Sequence, residues 1–245
     1  MLPYLRSRRP LVIGVAAVVA LVVVAGGGAY AYFFTGLRSA PAQFSLSSLG
    51  SNGANSDIPV DGLLGHWTVT TGSQAGYRVK EVLAGEPTKH EAVARTDQVT
   101  GGLTVARASS GLQVNGLHFE VQLAKLQSVD TVAGHNVTNR DRTVNRTLDV
   151  QTFPAAVFEA SSFTVPAKIA QGKAITIHVP GTFTVHGVVR SAKASVQVRM
   201  TGGQAQAAGS IAINMTQFGV TPPKIAFAES DPDVTIDFQL FLSRA

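Results

Sequence analysis

A chain of 245 residues with a net charge of +5 and no cysteine is long enough for one large domain or two small ones, and must be stabilised by burial without disulfide staples. The missing thiols also exclude cysteine-ligated zinc, thiol redox chemistry and a lipid-modified cysteine anchor. The charge says little until it is divided along the chain: Arg6, Arg8, Arg9 and Arg38 face only Asp57 in the first sixty residues, which leaves sixteen basic and fourteen acidic residues beyond them. That near balance, with no clustered basic face and interleaved aromatics, gives no nucleic acid partner.

Taken in chain order, residues 1–10 form a basic flank, and Leu11–Phe34 then runs without a charge. As a helix at about 1.5 Å per residue this run reaches about 36 Å, enough to cross a hydrocarbon core of roughly 30 Å. Cationic flanks stay on the cytoplasmic side, so the expectation is a single-pass transmembrane anchor in the cell membrane with an extracytoplasmic C-terminal portion. The competing reading is a cleaved signal peptide, because Ala29-Tyr30-Ala31 has the small-x-small form of a cleavage site. The apolar run exceeds the usual h-region of such signals, which favours the anchor. Either reading exports the rest. Residues 35–60, rich in Ser, Gly, Ala, Asn and Pro without a sustained period, are expected to be a flexible linker with ends about 25 to 30 Å apart.

From Asp61 to Ala245 the texture changes to short runs of period two broken by Gly, Pro or Asn, an all-β signal. In the last run Val234, Ile236, Phe238 and Leu240 share one face and Thr235, Asp237 and Gln239 the other; Val196, Val198 and Met200 alternate likewise with Ser195, Gln197 and Arg199. One face apolar and one wet is the pattern of an antiparallel sheet that covers a core or a cavity. The exception is the charged stretch Asn139–Val150, predicted as a helical or irregular crossover that ends near Pro154. Eight or more such strands make a sandwich or a closed barrel, and periodicity alone does not choose.

No GxSxG elbow, HExxH, phosphate loop or EF-hand loop occurs. His66, His90, His118, His135, His178 and His186 are scattered without HxH or HxxxH spacing, so neither a metal nor a cofactor is expected. Asp231-Pro232-Asp233 reads as a turn before the final strand. Three Asn-x-Thr triplets, at Asn136, Asn145 and Asn214, match the glycosylation acceptor by a pattern common enough to occur by chance.

Four short motifs occur in order: HWTVTTGSQAGYRVKE from His66; NRDRTVNRTLDVQTFPAAVFEAS with its Phe153-Pro154 pair, Phe158 and Ser161 or Ser162; TFTVHGVVR around His186; and MTQFGVTPP around Phe218-Gly219. In these the chain resembles the YceI-like family of exported lipid-binding β-barrel proteins, over about Gly65 to Leu242. The family crossover often carries a histidine after its Arg-Asp pair, where this chain has Thr143 and Val144; that departure weakens any head-group contact carried over there. The resemblance implies an extended antiparallel β-barrel of lipocalin-like form whose apolar interior, in relatives, holds an isoprenoid chain.

The expected function is therefore non-catalytic binding of a long apolar ligand, a polyisoprenoid or other amphipathic lipid, inside a membrane-tethered barrel. Phe119, Val121, Leu123, Phe158, Phe183, Val185, Val196, Val198, Ile236 and Phe238 are the expected wall residues, with Asn145, Arg146 and His186 at the rim. His186 reads mainly as a hairpin residue whose polar tip secures the turn. Two other readings stay open: a filled barrel serving as a structural or interaction module of the cell envelope, and an exported hydrolase. A homodimer is also left open.

Overall fold

The computed structural model describes residues 9–34, 38–46, 58–86, 88–109, 111–201, 203–225 and 228–245, with side chains in the first helix described for 18–30 only. The chain divides into two compact units, Met1–Ser39 with Thr131–Asn136, and Ala40–Asp130 with Val137–Ala245.

In the first unit, α1 (Arg9–Phe34) contains the whole uncharged run. Every described side chain on it is exposed, Leu21 by 71% and Val24 by 73%. Among the described residues no helix is long and apolar enough to cross a membrane, so the expected span is present here only as a helix. Beyond α1, Arg38–Ser39 pairs antiparallel with Thr131–Val132, and the Ser39 and Thr131 hydroxyls lie 2.9 Å apart.

Among its described residues the second unit has ten strands of five residues or more: β1 (Gly65–Val69), β2 (Gln74–Leu83), β3 (His90–Thr96), β4 (Val99–Ala108), β5 (Gly111–Gln122), β6 (Ala155–Val165), β7 (Ile175–Val185), β8 (Val188–Thr201), β9 (Gln204–Asn214) and β10 (Ala228–Arg244), with two-residue strands at Gln127–Ser128 and Lys224–Ile225. Eight of them, β1-β4-β5-β6-β7-β8-β9-β10, close on themselves with every neighbour antiparallel. Closure depends on β10, which pairs along one edge with β9 from Gln204↔Ser243 to Asn214↔Asp233 and along the other with β1 at Leu242↔Val69. Closure leaves no free edge among the eight strands of the ring. This settles the choice that periodicity left open, in favour of the expected barrel.

β2 continues the line of β1 along β10, and β3, which pairs with β2, is extended by Gln127–Ser128. The register of β10 against β2 shifts between Ser230 and Val234. Asp231-Pro232-Asp233 therefore forms a bulge inside β10 rather than the expected turn before it, and a bulge is where a strand tolerates a residue without an N–H.

The crossover is a helix, α2 (Thr138–Thr147). It ends on Asp149 in the left-handed region, φ 44°, whose N–H bonds Arg146 O at 3.1 Å and whose carbonyl accepts from Phe153 N at 2.8 Å. That reversal delivers Phe153-Pro154 into β6.

Part of the expected linker falls among the described residues. Residues 35–37 and 47–57 lie outside the described residues, but Ala40–Leu46 packs on the barrel's outer face as a strap. Pro41 O accepts from Arg78, Ala42 O accepts from Arg95 at 2.6 Å, and the Arg95 guanidinium sits 3.8 Å from the centre of the Phe44 ring. Leu46 is buried, its N–H 3.5 Å from Gln197 on β8. A Ser/Pro-rich composition hid four apolar or carbonyl anchors that find partners only once the barrel has formed.

Candidate functional site: an apolar barrel interior

Because side chains alternate along each strand, the inward set of all eight barrel strands faces one lumen. It encloses a cavity of about 160 Å³ whose lining residues are all apolar. Leu63, from the turn Val60–Leu63, and Ile169, from the turn Ala167–Gln171, reach the same cavity. The two turns are tied by Ile58 N–H to Ala170 O at 2.8 Å. Trp67, the chain's single tryptophan, also lines it, and its indole N–H donates to Leu63 O at 2.9 Å.

Of the ten expected wall residues, Phe119, Val121, Phe158, Phe183, Val196, Val198, Ile236 and Phe238 line the cavity. Leu123 and Val185 do not. Both are buried in the core, Leu123 in a short turn after β5 and Val185 as the last residue of β7, where the strand no longer faces the lumen. Among the lining residues not anticipated are Trp67, Phe163, Val179 and Leu240. Extending the period-two pattern would have found two of these, Val179 in phase with Phe183 and Leu240 with Phe238.

Aromatic side chains set the bore. Phe119, Phe158 and Phe183 are directly opposed on β5, β6 and β7, forming a row across three adjacent strands, and Phe218 meets Phe183 edge-on at 5.8 Å. Two of the lining rings lie over bare backbone: a β-carbon at Gly181 would come within 2.9 Å of the Phe158 ring, and one at Gly209 within 2.9 Å of Phe238.

None of the three expected rim residues touches the cavity. Asn145 and Arg146 lie on α2, Arg146 exposed and Asn145 with its side-chain oxygen buried and unpartnered. His186 and Gly187, both with positive φ at 54° and 71°, form a two-residue turn between the paired Val185 and Val188, the geometry that matches strand twist in a tight hairpin. The His186 Nδ1–H donates to Phe218 O at 3.3 Å, and its ring meets Phe153 edge-on at 5.1 Å. A β-carbon at Gly187 would strike the same Phe153 ring at 2.5 Å. Three of the four motifs seen in the sequence thus meet at one corner of the barrel. His186→Ala is expected to lower stability by about 1–2 kcal/mol by removing one hydrogen bond and one ring contact, with lipid affinity unchanged. Urea unfolding and lipid titration on the same variant check both halves.

The buried polar groups lie apart from the cavity lining. Arg140, projecting from α2, pairs with Glu81, bonds Asp130 Oδ1 at 2.7 Å and reaches Ser128 Oγ at 3.2 Å. Asp130 also accepts from His90 Nε2 at 2.7 Å and from Val93 N–H at 3.0 Å. Burial would raise the Asp130 carboxyl, but the bonds from His90 and Arg140 outweigh it and hold the carboxyl below its usual range. Burial likewise pushes the neighbouring Tyr77 phenol up. Among the described residues no His, Asp and Glu group is placed to hold a metal. Sequence reading missed this cluster because its members are far apart in the chain and carry no local spacing.

A closed antiparallel barrel around a wholly apolar lumen is a lipocalin-like architecture. The chain belongs to the YceI-like domain family, whose model matches residues 67–242. Among solved structures it is similar to a polyisoprenoid binding domain from Saccharophagus degradans, at 15% identity and a TM-score of 0.50, covering 74% of this chain and 99% of that one. At that identity the likeness is one of fold. It is also similar to Burkholderia cenocepacia BcnA, at 18% identity, TM-score 0.45, and 67% and 95% coverage. A Campylobacter jejuni YCEI protein aligns at 11% identity, TM-score 0.41, and 57% and 78% coverage. No curated protein matches the chain.

Proposed function

We propose that the barrel binds the apolar chain of an isoprenoid or other amphipathic lipid and carries it without reacting with it. The wholly apolar lining of the cavity carries this reading: each buried methylene contributes about 0.8 kcal/mol, so affinity needs few polar contacts. The polyisoprenoid binding named for the Saccharophagus degradans domain supports the same class of ligand. Organic extraction of the purified chain followed by mass spectrometry, together with lipid titration, tests it. A chain that yields no lipid and shows no saturable binding would overturn the reading and favour an envelope module with a structural role.

The proposal includes a tether: α1 holds the barrel at the outer face of the cell membrane. The uncharged run Leu11–Phe34, its preceding arginines and the exposed aliphatic side chains of Val18–Val24 support this, since such surface is costly to leave in water. Membrane fractions should retain the chain through an alkaline wash, with the barrel open to added protease outside the cell. Release into the wash would remove the tether from the proposal.

A further inference from the structure

Whatever enters the lumen has to cross one of its two ends, because the eight strands surround it as a closed ring. At the end where β6 stops and β7 starts, the cover is inserted. Leu63 and Ile169 are buried and reach from their turns into the cavity lining, and the Ile58–Ala170 and Trp67–Leu63 hydrogen bonds pin that cover in place. Drawing it off would bare two aliphatic side chains to water, which is unfavourable.

The opposite end, where β5 stops and β6 starts, is covered differently. No residue from Leu123 to Pro154 enters the cavity lining. Leu148 and Val150, just past α2, are only partly buried against the core around the lumen, and Tyr77, in register with Ile236 of the lining, lies within reach of the charges on Arg140 and Asp141. None of the ten residues of α2 is buried. Its hold is polar: Arg140 on Glu81, Asp130 and Ser128, and Asp141 Oδ1 accepting from Ser128 N–H at 3.0 Å and Oγ at 2.7 Å. The polar fit is also incomplete, since the Tyr77 hydroxyl and Asn145 Oδ1 are buried without a hydrogen bond, a cost that opening to water removes. On opening, water would reach the guanidinium and both carboxylates together, so no charge is stranded. Asp149, a non-glycine residue held at φ 44°, reverses the chain directly after the helix and marks a hinge.

We infer that lipid enters and leaves the barrel at this end, with α2 as a lid that turns on Asp149 and Arg140 as its latch. The inference rests on the lipid-binding reading and deepens it. A cover held by few apolar contacts is the part of a fold that opens first, and lids of this kind set the rate of exchange rather than the affinity.

The chain has no cysteine, so a pair introduced as Ser128→Cys and Asp141→Cys can bond only to itself. The full chain carrying this pair is purified in detergent, loaded with deuterated geranylgeraniol while reduced, then oxidised and challenged with excess unlabelled alcohol. The label left on the chain is followed by extraction and mass spectrometry. Oxidation is expected to slow exchange at least about tenfold, and reductant to restore it. The matching lock at the other end, Ile58→Cys with Ala170→Cys, is expected to leave the rate as in the parent. An oxidised α2 pair that exchanges as fast as its reduced form, or a rate slowed only by the lock at the other end, overturns the lid and leaves lipid binding standing. Where the α2 pair does not form its disulfide, Arg140→Lys takes its place, keeping the charge but losing the fork between Glu81 and Asp130. Exchange several times faster than in the parent is then expected, and an unchanged rate overturns the lid. A parent chain that takes up no label overturns the lid and lipid binding together.

Discussion

Replacing Arg140 by alanine is expected to destabilise the barrel by about 3–5 kcal/mol, the range for removing one partner of a buried charge pair. The guanidinium faces two carboxylates at once, Glu81 and Asp130, which are 3% and 2% exposed. Without it both are left in a poorly solvated site, with His90 and Val93 N–H still on Asp130 but no cation between the two acids. Removing the side chain also unties α2 from β2, so the crossover loses its main polar anchor. The pH dependence separates this from simple loss of packing. The Asp130 carboxyl titrates below its ordinary value in the folded state, so its contribution is present above the unfolded value near 3.8 and is lost as pH falls through the lower folded value. In the variant, protonating Asp130 relieves a carboxylate left without its cation. The stability gap between variant and parent should therefore narrow as pH falls below about 4. Urea unfolding from neutral to acid pH measures it, and a gap constant with pH would reduce the effect to packing.

The parts of this molecule legible in its sequence are those governed by neighbours along the chain. Alternation in Val234–Leu240 and in Val196–Met200 placed the correct faces inward because the period of a strand is local. The His186-Gly187 turn was readable for the same reason. What closes the barrel was not: β10 meets β1 at Leu242↔Val69, from opposite ends of the domain, and nothing in either run names its partner. The placement of the expected rim residues was hidden on similar grounds. Asn145 and Arg146 sit on a helix whose placement is decided by Arg140 reaching Glu81, nearly sixty positions earlier, and not by their own sequence context. Val185 kept the right phase but lay past the end of the lumen, since period reports a face and not a depth. The strap was lost to composition, because Phe44 and Leu46 are two apolar residues in a polar stretch and their partners, Arg95 and Gln197, come from different strands.

Asp237→Ala is expected to cost a further large amount, again about 3–5 kcal/mol, and to release the strap together with the barrel's outer polar layer. Asp237 lies on the outward face of β10 yet is fully buried, because Ala40–Leu46 is fastened over the arginines beside it. Its Oδ2 accepts from Arg78 Nε at 3.0 Å and lies 3.5 Å from Arg95 Nη2. Arg78 also pairs with Glu91 at 2.6 Å, whereas Arg95 has Asp237 as its acidic partner among the described residues, and burial already lowers the Arg95 guanidinium. Losing the carboxylate therefore strands Arg95 more than Arg78. Arg95 should swing to solvent, and with it go the hydrogen bond to Ala42 O and the face of the Phe44 ring. Hydrogen exchange checks this sequence of events: amides at 40–46 should exchange fastest in the variant, ahead of those in β2 and β10. If the strap remained as protected as in the parent while the strands opened, Asp237 would be holding the sheet together and not the segment that crosses it. Asp237→Asn, which keeps an acceptor without the charge, should fall between the two, because the hydrogen bond from Arg78 survives while the attraction for Arg95 is lost.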